Sequence, residues 1–200
     1  MAPADANSKM VKKASKMKDP IETFKCLPEM EERKTGNGET ITFRTAWSTH
    51  LDNEMHEWLM DLFNRNMQQL YSQSQWGYDP VSKKNELQAT TARFIIAYNS
   101  KGDKVGYTHY RFDVDFARPV VYCYEIQVEP TYQMKGVGSL LLHTLENLAK
   151  KTSMEHVVAT VFAFNEKSLG FFHKNGYTTD DSCPDENQGL DYLILSKRIV

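Results

Sequence analysis

The stretch VVYCYEIQVEPTYQMKGVG, residues 120–138, constrains the fold more than any other part of the chain. Residues 120–128 are rich in β-branched and aromatic side chains, the composition of a strand, and Pro130 closes it. Residues 139–151 carry Leu140, Leu141, Leu142, Leu145 and Leu148, the apolar side of a helix. Between them lies the loop Gln133-Met134-Lys135-Gly136-Val137-Gly138. Glycine lets a backbone approach a ligand closely, and the first N–H groups of the helix are free to point the same way. Such an arrangement favours a phosphate or pyrophosphate. The loop lacks the Lys-Ser/Thr ending of a nucleotide P-loop and the third glycine of a dinucleotide fingerprint, so its context must carry the assignment.

The rest of the chain supplies that context. A first strand is expected over 41–47 and an amphipathic helix over 51–71, where Met55, Trp58, Leu59, Leu62, Phe63 and Met67 recur at helical spacing. A short helix over 81–89 follows Asp79-Pro80, then strands over 93–98 and 105–115 joined by a turn at 99–103. The strand at 120–128 pairs with 105–115 across residues 116–119. After the glycine-loop helix come a strand at 156–162, a helix at 165–175 ended by Gly176, and a last strand at 192–199. This order predicts a mixed α/β sheet flanked by helices. The expected organisation is a basic tail (1–17), a segment packing on the domain (18–40), and the domain itself (41–200). The tail carries Lys9, Lys12, Lys13 and Lys16. It reads either as a solvated, partly helical stretch or as a basic segment for nuclear import or nucleic-acid contact.

Composition narrows the function. A net charge of −2 gives no general affinity for nucleic acid. No apolar run approaches membrane-spanning length and the N-terminus has no secretory pattern, so no membrane partner is expected. Cys26, Cys123 and Cys183 are odd in number and widely spaced, which suits a reducing compartment. The histidines lack ligand spacing, so no metal is expected.

Glu125 stands in an otherwise apolar strand beside the loop, the natural candidate for a general base; the competing role is an ion pair within the sheet. Strict alternation sets Tyr122 and Tyr124 on one face and Glu125 on the other. All three share a site only if the strand is bulged or splayed between Tyr122 and Gln127. Asp113, Asp115 and the acidic run over 178–191 suggest a cationic acceptor. Tyr71, Trp76, Tyr122, Tyr124 and Tyr192 are candidate walls for a narrow peptide.

Gln133-x-x-Gly136-x-Gly138 after a strand, followed by Asn165-Glu-Lys-Ser-Leu-Gly-Phe171-Phe172-His-Lys-Asn-Gly176-Tyr177, resembles the two signature elements of the GNAT acetyltransferases. Within that superfamily, Tyr71-Ser-Gln-Ser-Gln-Trp76-Gly, Asp113-Val-Asp115, Tyr122-Cys-Tyr-Glu125-Ile-Gln127 and Thr160-Val-Phe look like the NatD-type histone N-terminal acetyltransferases over roughly residues 18–200. The resemblance implies the GNAT acyl-CoA N-acyltransferase fold with an N-terminal helical segment packed on it. It implies a monomer of nucleus and cytoplasm, acting on histone N-terminal tails. The activity implied is transfer of acetyl from acetyl-CoA to the α-amine of histones four and two-A, which begin Ser-Gly-Arg-Gly; the alternative is a GNAT-type acetyltransferase of lysine or a small amine.

Carried over by residue, Glu125 matches the base, with Tyr124 and Tyr192 as further catalytic candidates. Tyr71, Trp76, Asp113, Val114, Asp115, Tyr122, Tyr124, Thr160, Ser182 and Tyr192 match peptide-binding positions. Gln127, Val128, Glu129, Gln133, Met134, Lys135, Gly136, Val137, Gly138, Ser139, Leu140, Asn165 and Phe172 match the cofactor site. Two departures stand out. The pair Phe171-Phe172 lacks the tyrosine hydroxyl often found there, so either another group, with Tyr192 a candidate, protonates the leaving thiolate or it leaves unassisted. Gln133 and Lys135 stand where arginine is frequent.

Overall fold

Residues 3–200 are described by the structure, a computed structural model. Seven strands join one mixed sheet: β1 (Thr42–Trp47), β2 (Arg93–Tyr98), β3 (Lys104–Asp115), β4 (Arg118–Val128), β5 (His156–Phe162), β6 (Thr178–Thr179) and β7 (Tyr192–Arg198). Their spatial order is β1-β2-β3-β4-β5-β7-β6. The first four strands form an antiparallel meander, β4 and β5 run parallel, and β7 returns antiparallel to β5. A parallel neighbour requires a crossover, and the helix α5 (Val137–Thr152) supplies it.

Each face of the sheet has its own core. On one side Leu141, Leu142, Leu145 and Leu148 of α5 pack on Val121, Cys123, Val157 and Ala159. On the other, Leu59 and Leu62 of α3 (Asn53–Gln73) and Leu87 of α4 (Pro80–Leu87) cover Phe94, Ile96 and Tyr107. The Asp79 carboxylate caps α4 by accepting from the Val81 and Ser82 N–H groups, and Pro80 occupies the first turn. That fixed start sets which α4 side chains face inward.

Three features depart from the sequence expectation. The lysine-rich start is not left to solvent: α1 (Pro3–Ser15) lies against β3 and β4, burying Val11 and Ala14 while Lys12, Lys13 and Lys16 stay exposed. Met10, Val11 and Ala14 form a narrow apolar stripe among the lysines, and the Arg93 guanidinium donates to the carbonyls of Ser15 and Met17 where α1 ends. Next comes α2 (Pro20–Thr23), capped by Asp19. The β3–β4 connection is tighter than residues 116–119: Phe116 (φ 46°) and Ala117 (φ 64°) alone make it, in the left-handed pair of a two-residue hairpin turn. The short edge strand β6 lies in a segment with no strand pattern. The helix α6 (Glu166–Lys174) forms as expected, with the Asn165 side chain accepting from the Ser168 N–H at its start.

Candidate active site

The strand β4 is distorted where the chemistry was expected. His109 of β3 faces Glu125, yet its neighbour Tyr110 faces Cys123, leaving Tyr124 as an extra residue. This β-bulge resets the alternation. Val121 and Cys123 point to the α5 core, as do Ile126 and Val128, while the rings of Tyr122 and Tyr124 lie 5.0 Å apart. Glu125 and Gln127 bond to each other and to side chains of α3 and α4. The bulge thus gathers Tyr122, Tyr124, Glu125 and Gln127 on one face.

A splay accompanies it. The parallel pairing of β4 with β5 ends at Cys123 opposite Ala159, although β4 continues to Val128 and β5 to Phe162. A wedge therefore opens between the two strands beyond the bulge. Tyr122 Oη and Thr160 Oγ1 share a 2.6 Å hydrogen bond at its apex.

The glycine loop follows β4 and opens α5. Gly136 takes φ +94° as the N-cap of α5, a conformation that disfavours a side chain. Among the described residues, the N–H groups of Val137, Gly138 and Ser139 have no acceptor. A Cβ on Gly138 would sit 3.0 Å from the Phe171 ring, so this glycine also lets α6 pack on the helix start. A pyrophosphate fits these free donors and the dipole behind them. The other expected cofactor residues divide. Met134 and Gln133 are exposed beside the loop, Lys135 lies over the Tyr132 ring, and Leu140 is half-buried at the start of α5. The Val128 carbonyl is already taken by Asn66 and Gln133, and Glu129 holds Arg65 through two 2.8 Å contacts. Asn165 caps α6, and Phe172 is a core side chain set edge-on to Tyr177.

Glu125 is 6% exposed, and both of its oxygens have partners. Oε1 accepts from Lys83 Nζ at 2.8 Å and Oε2 from Gln127 Nε2 at 2.8 Å. The base candidate and the ion-pair role thus coincide in one residue. Lys83 was not anticipated. It also contacts Glu86 Oε1 at 2.8 Å and lies over the rings of Phe63 and Tyr71. Burial pulls Lys83 down, but Glu125, Tyr71 and Glu86 together lift it above its ordinary range, so it is an ammonium. Burial raises the Glu86 carboxyl, which Lys83 only partly offsets. The spacing of Lys83, Glu86 and Leu87 was the available signal, because it sets both charges on the buried side of α4. His109 is fully buried between the Phe94 and Tyr124 rings. Burial, then Arg111 and Lys83, push it well below its ordinary range, so it is neutral. Burial likewise raises the phenols of Tyr71 and Tyr122 to about 12 and raises that of Tyr124. At neutral pH all three are donors.

Aromatic rings cluster beyond the end of α3. Trp76 contacts Tyr71, Phe162 and Tyr192 at ring-centroid distances of 6.2, 5.2 and 5.1 Å, and is 52% exposed. The acidic residues are not equivalent. Asp113 is exposed, with the Tyr124 hydroxyl 3.5 Å from Oδ2, and its neighbour Val114 is exposed too. Asp115 shares Arg118 with Asp180, which takes the guanidinium at 2.8 and 3.1 Å. Ser182 is tied back to Asp180 through its N–H and hydroxyl. Asp180 and Arg118 therefore anchor the loop that carries Ser182. Among the described residues, no group of His, Cys, Asp and Glu could hold a metal, and no helix is long and apolar enough to cross a membrane.

Known proteins share this architecture. The PaiA N-acetyltransferase of Thermoplasma acidophilum, solved in complex with coenzyme A, superposes with a TM-score of 0.58. It is 18% identical and covers 80% of this chain and 99% of its own. Arabidopsis thaliana Naa50, solved with the bisubstrate analogue CoA-Ac-MVNAL, gives a TM-score of 0.54 at 19% identity, covering 78% of this chain and 97% of its own. Among curated sequences, the uncharacterized N-acetyltransferase YfmK of Bacillus subtilis is 38% identical over 68 residues, 34% of this chain and 45% of that protein. YdgE of the same organism is 27% identical over 79 residues, 40% of this chain and 50% of that protein. The chain thus spans about half the length of the curated relatives it matches. The model of the acetyltransferase (GNAT) family matches residues 52–177. With the glycine loop, the bulge and the wedge in their places, the chain belongs to the GNAT family of acetyltransferases.

Proposed function

We propose that this acetyltransferase modifies the free α-amine of protein N-termini that begin Ser-Gly-Arg-Gly, those of histones four and two-A. The observation that carries the reading is the Tyr124 bulge. It sets Glu125 and the phenols of Tyr122 and Tyr124 on one face beside the wedge, with Asp113 exposed next to them. Acetyl-CoA supplies the thioester carbonyl that the amine attacks. The chain's own residues do the rest. An α-amine has an ordinary pKa near 8, against about 10.4 for lysine, so releasing its proton near neutral pH costs roughly 3 kcal/mol less. Glu125, acting directly or through one water, receives that proton. Tyr122 and Tyr124 offer hydroxyls toward developing negative charge. Asp113 is free to hold the arginine at the third peptide position through charge-assisted bonds, while Asp115 is already engaged by Arg118.

The walls formed by Tyr71, Trp76 and Tyr192 suit an extended peptide end. The lysine ridge of α1 suits acidic or nucleic-acid partners in a nuclear and cytoplasmic setting, and the enzyme acts as a monomer. Acetyl transfer to three peptides tests the reading: Ser-Gly-Arg-Gly with a free amine, the same peptide blocked at its N-terminus with lysines free, and a variant with the arginine replaced by alanine. Activity on the first, reduced on the third and absent on the second, is expected. Activity on the blocked peptide would make the enzyme a lysine acetyltransferase instead.

A further inference from the structure

We infer that Lys83 and Glu86 form the proton exit of this site: Lys83 is a positioning residue that bridges Glu125 to Glu86, and Glu86 releases the acceptor's proton to solvent. The inference rests on amine acetylation at Glu125 as proposed above.

The argument begins with proton balance. An ammonium acceptor and an acyl thioester give an amide, a thiol and one proton, which must reach bulk water at every turnover. Glu125 is buried and cannot hand it over directly. Among the described residues, two side chains bond to its carboxylate. Gln127 is an amide whose own oxygen accepts from Asn66, another amide at 3.0 Å, so that branch carries no proton onward. Lys83 is the other neighbour. Its ammonium touches Glu125 Oε1 and Glu86 Oε1, each at 2.8 Å. The Glu86 side chain is 32% exposed, against 8% for Lys83 and 6% for Glu125. The chain of contacts thus runs from the buried carboxylate to one that meets water.

His109 offers no competing route. Its Nε2 accepts from the Arg111 Nε–H at 3.2 Å, which leaves the ring proton on Nδ1, 4.0 Å from Glu86 Oε1. A neutral ring in that tautomer has no vacant acceptor. In the relay, the amine proton goes to Glu125. Lys83 takes that proton as it passes one of its own to Glu86. Glu125 and Lys83 return to their starting states, and Glu86, now a neutral acid, loses the proton to water. Only O–H and N–H bonds form and break.

The groups facing Glu86 are Lys83 on its own helix, Tyr71 on α3, Glu125 and Tyr124 on β4, and Tyr107, His109 and Arg111 on β3. Burial and the Glu125 charge both act against the charge of Glu86 and raise its carboxyl.

The test uses the full chain with Glu86→Gln and Lys83→Arg. Glu86→Gln keeps an oxygen for Lys83 and removes the proton acceptor. Its kcat is expected to fall at least tenfold, with thermal midpoint and acetyl-CoA Kd unchanged, and to recover as imidazole buffer is raised. Lys83→Arg keeps the positive charge and cannot release a proton, so it should lose kcat similarly without rescue. A Glu86→Gln enzyme with full kcat from pH 6 to 9, or a loss that buffer does not restore, overturns the relay. Carboxyl-¹³C NMR titration of the wild-type protein needs no acceptor: Glu86 should protonate at a higher pH than an ordinary exposed carboxylate, and a Glu86 that titrates within the ordinary range overturns the relay. An enzyme inactive on every amine would sink the functional reading instead, and the titration would then decide the relay alone.

Discussion

Lys83 Nζ and Glu125 Oε1 stand 2.8 Å apart with both side chains less than a tenth exposed. Removing one member of so buried a pair leaves the other charge poorly compensated, at a typical cost of about 3–5 kcal/mol. Glu125→Gln should therefore act twice. Turnover should fall by about 10²- to 10⁴-fold from the loss of the base, with acetyl-CoA affinity retained. Denaturant unfolding should show destabilisation as well. Adding Lys83→Met should recover most of the stability and none of the turnover. Full turnover by Glu125→Gln at every pH would remove Glu125 from the base role.

Asp113 offers the opposite case. It is exposed, and it accepts from the Val114 N–H and the Tyr124 hydroxyl. Asp113→Ala should leave the thermal midpoint nearly unchanged. A bond to a charged group contributes about 1.5–3 kcal/mol, so KM for a Ser-Gly-Arg-Gly peptide should rise by roughly ten- to 100-fold. Against the arginine-to-alanine peptide the variant and the wild type should match. Equal losses on both peptides would mean that Asp113 does not meet the arginine.

Asp180, paired with Arg118, ties stability to pH. Burial alone would raise its carboxyl, but hydrogen bonds from Arg118 and Ser182 outweigh burial and hold it below the usual range. A depressed folded-state pKa means that the unfolded chain takes up the proton first. The stabilisation is thus whole above about pH 4 and drains away as pH falls below it. Asp180→Asn should cost about 2–3 kcal/mol at pH 7 in urea unfolding and flatten the acid side of the stability curve. A variant whose curve parallels that of the wild type down to pH 2 would contradict this account.

Arg93 holds α1 on the sheet. Its side chain is buried, its guanidinium carbon sits 3.7 Å from the centre of the Trp47 ring, and it donates to carbonyls at the end of α1. Arg93→Ala should expose those carbonyls and free the helix. Amide exchange over residues 6–15 should accelerate well before global unfolding, by about tenfold for each 1.4 kcal/mol lost. Unchanged protection there would show that Val11 and Ala14 suffice.

The sequence by itself determined the order of the main elements and the position of the glycine loop that opens α5. Local rules did this: β-branched runs at 93–98 and 156–162, leucines at helical spacing after Gly138, and glycines where the backbone turns positive. The need for a bulge was legible too, because Tyr122, Tyr124 and Glu125 cannot share one face of a regular strand. The tertiary structure alone decided what each charged group meets. Lys83 and Glu125 lie 42 positions apart, and Arg118 and Asp180 lie 62 apart. No local pattern couples such pairs; only packing α4 on β4, and the β6 loop beside the β3–β4 hairpin, brings them within hydrogen-bond reach. The fate of α1 was settled the same way. Its lysines suggested solvent, and its three apolar side chains acquired weight only against a sheet surface ready to receive them.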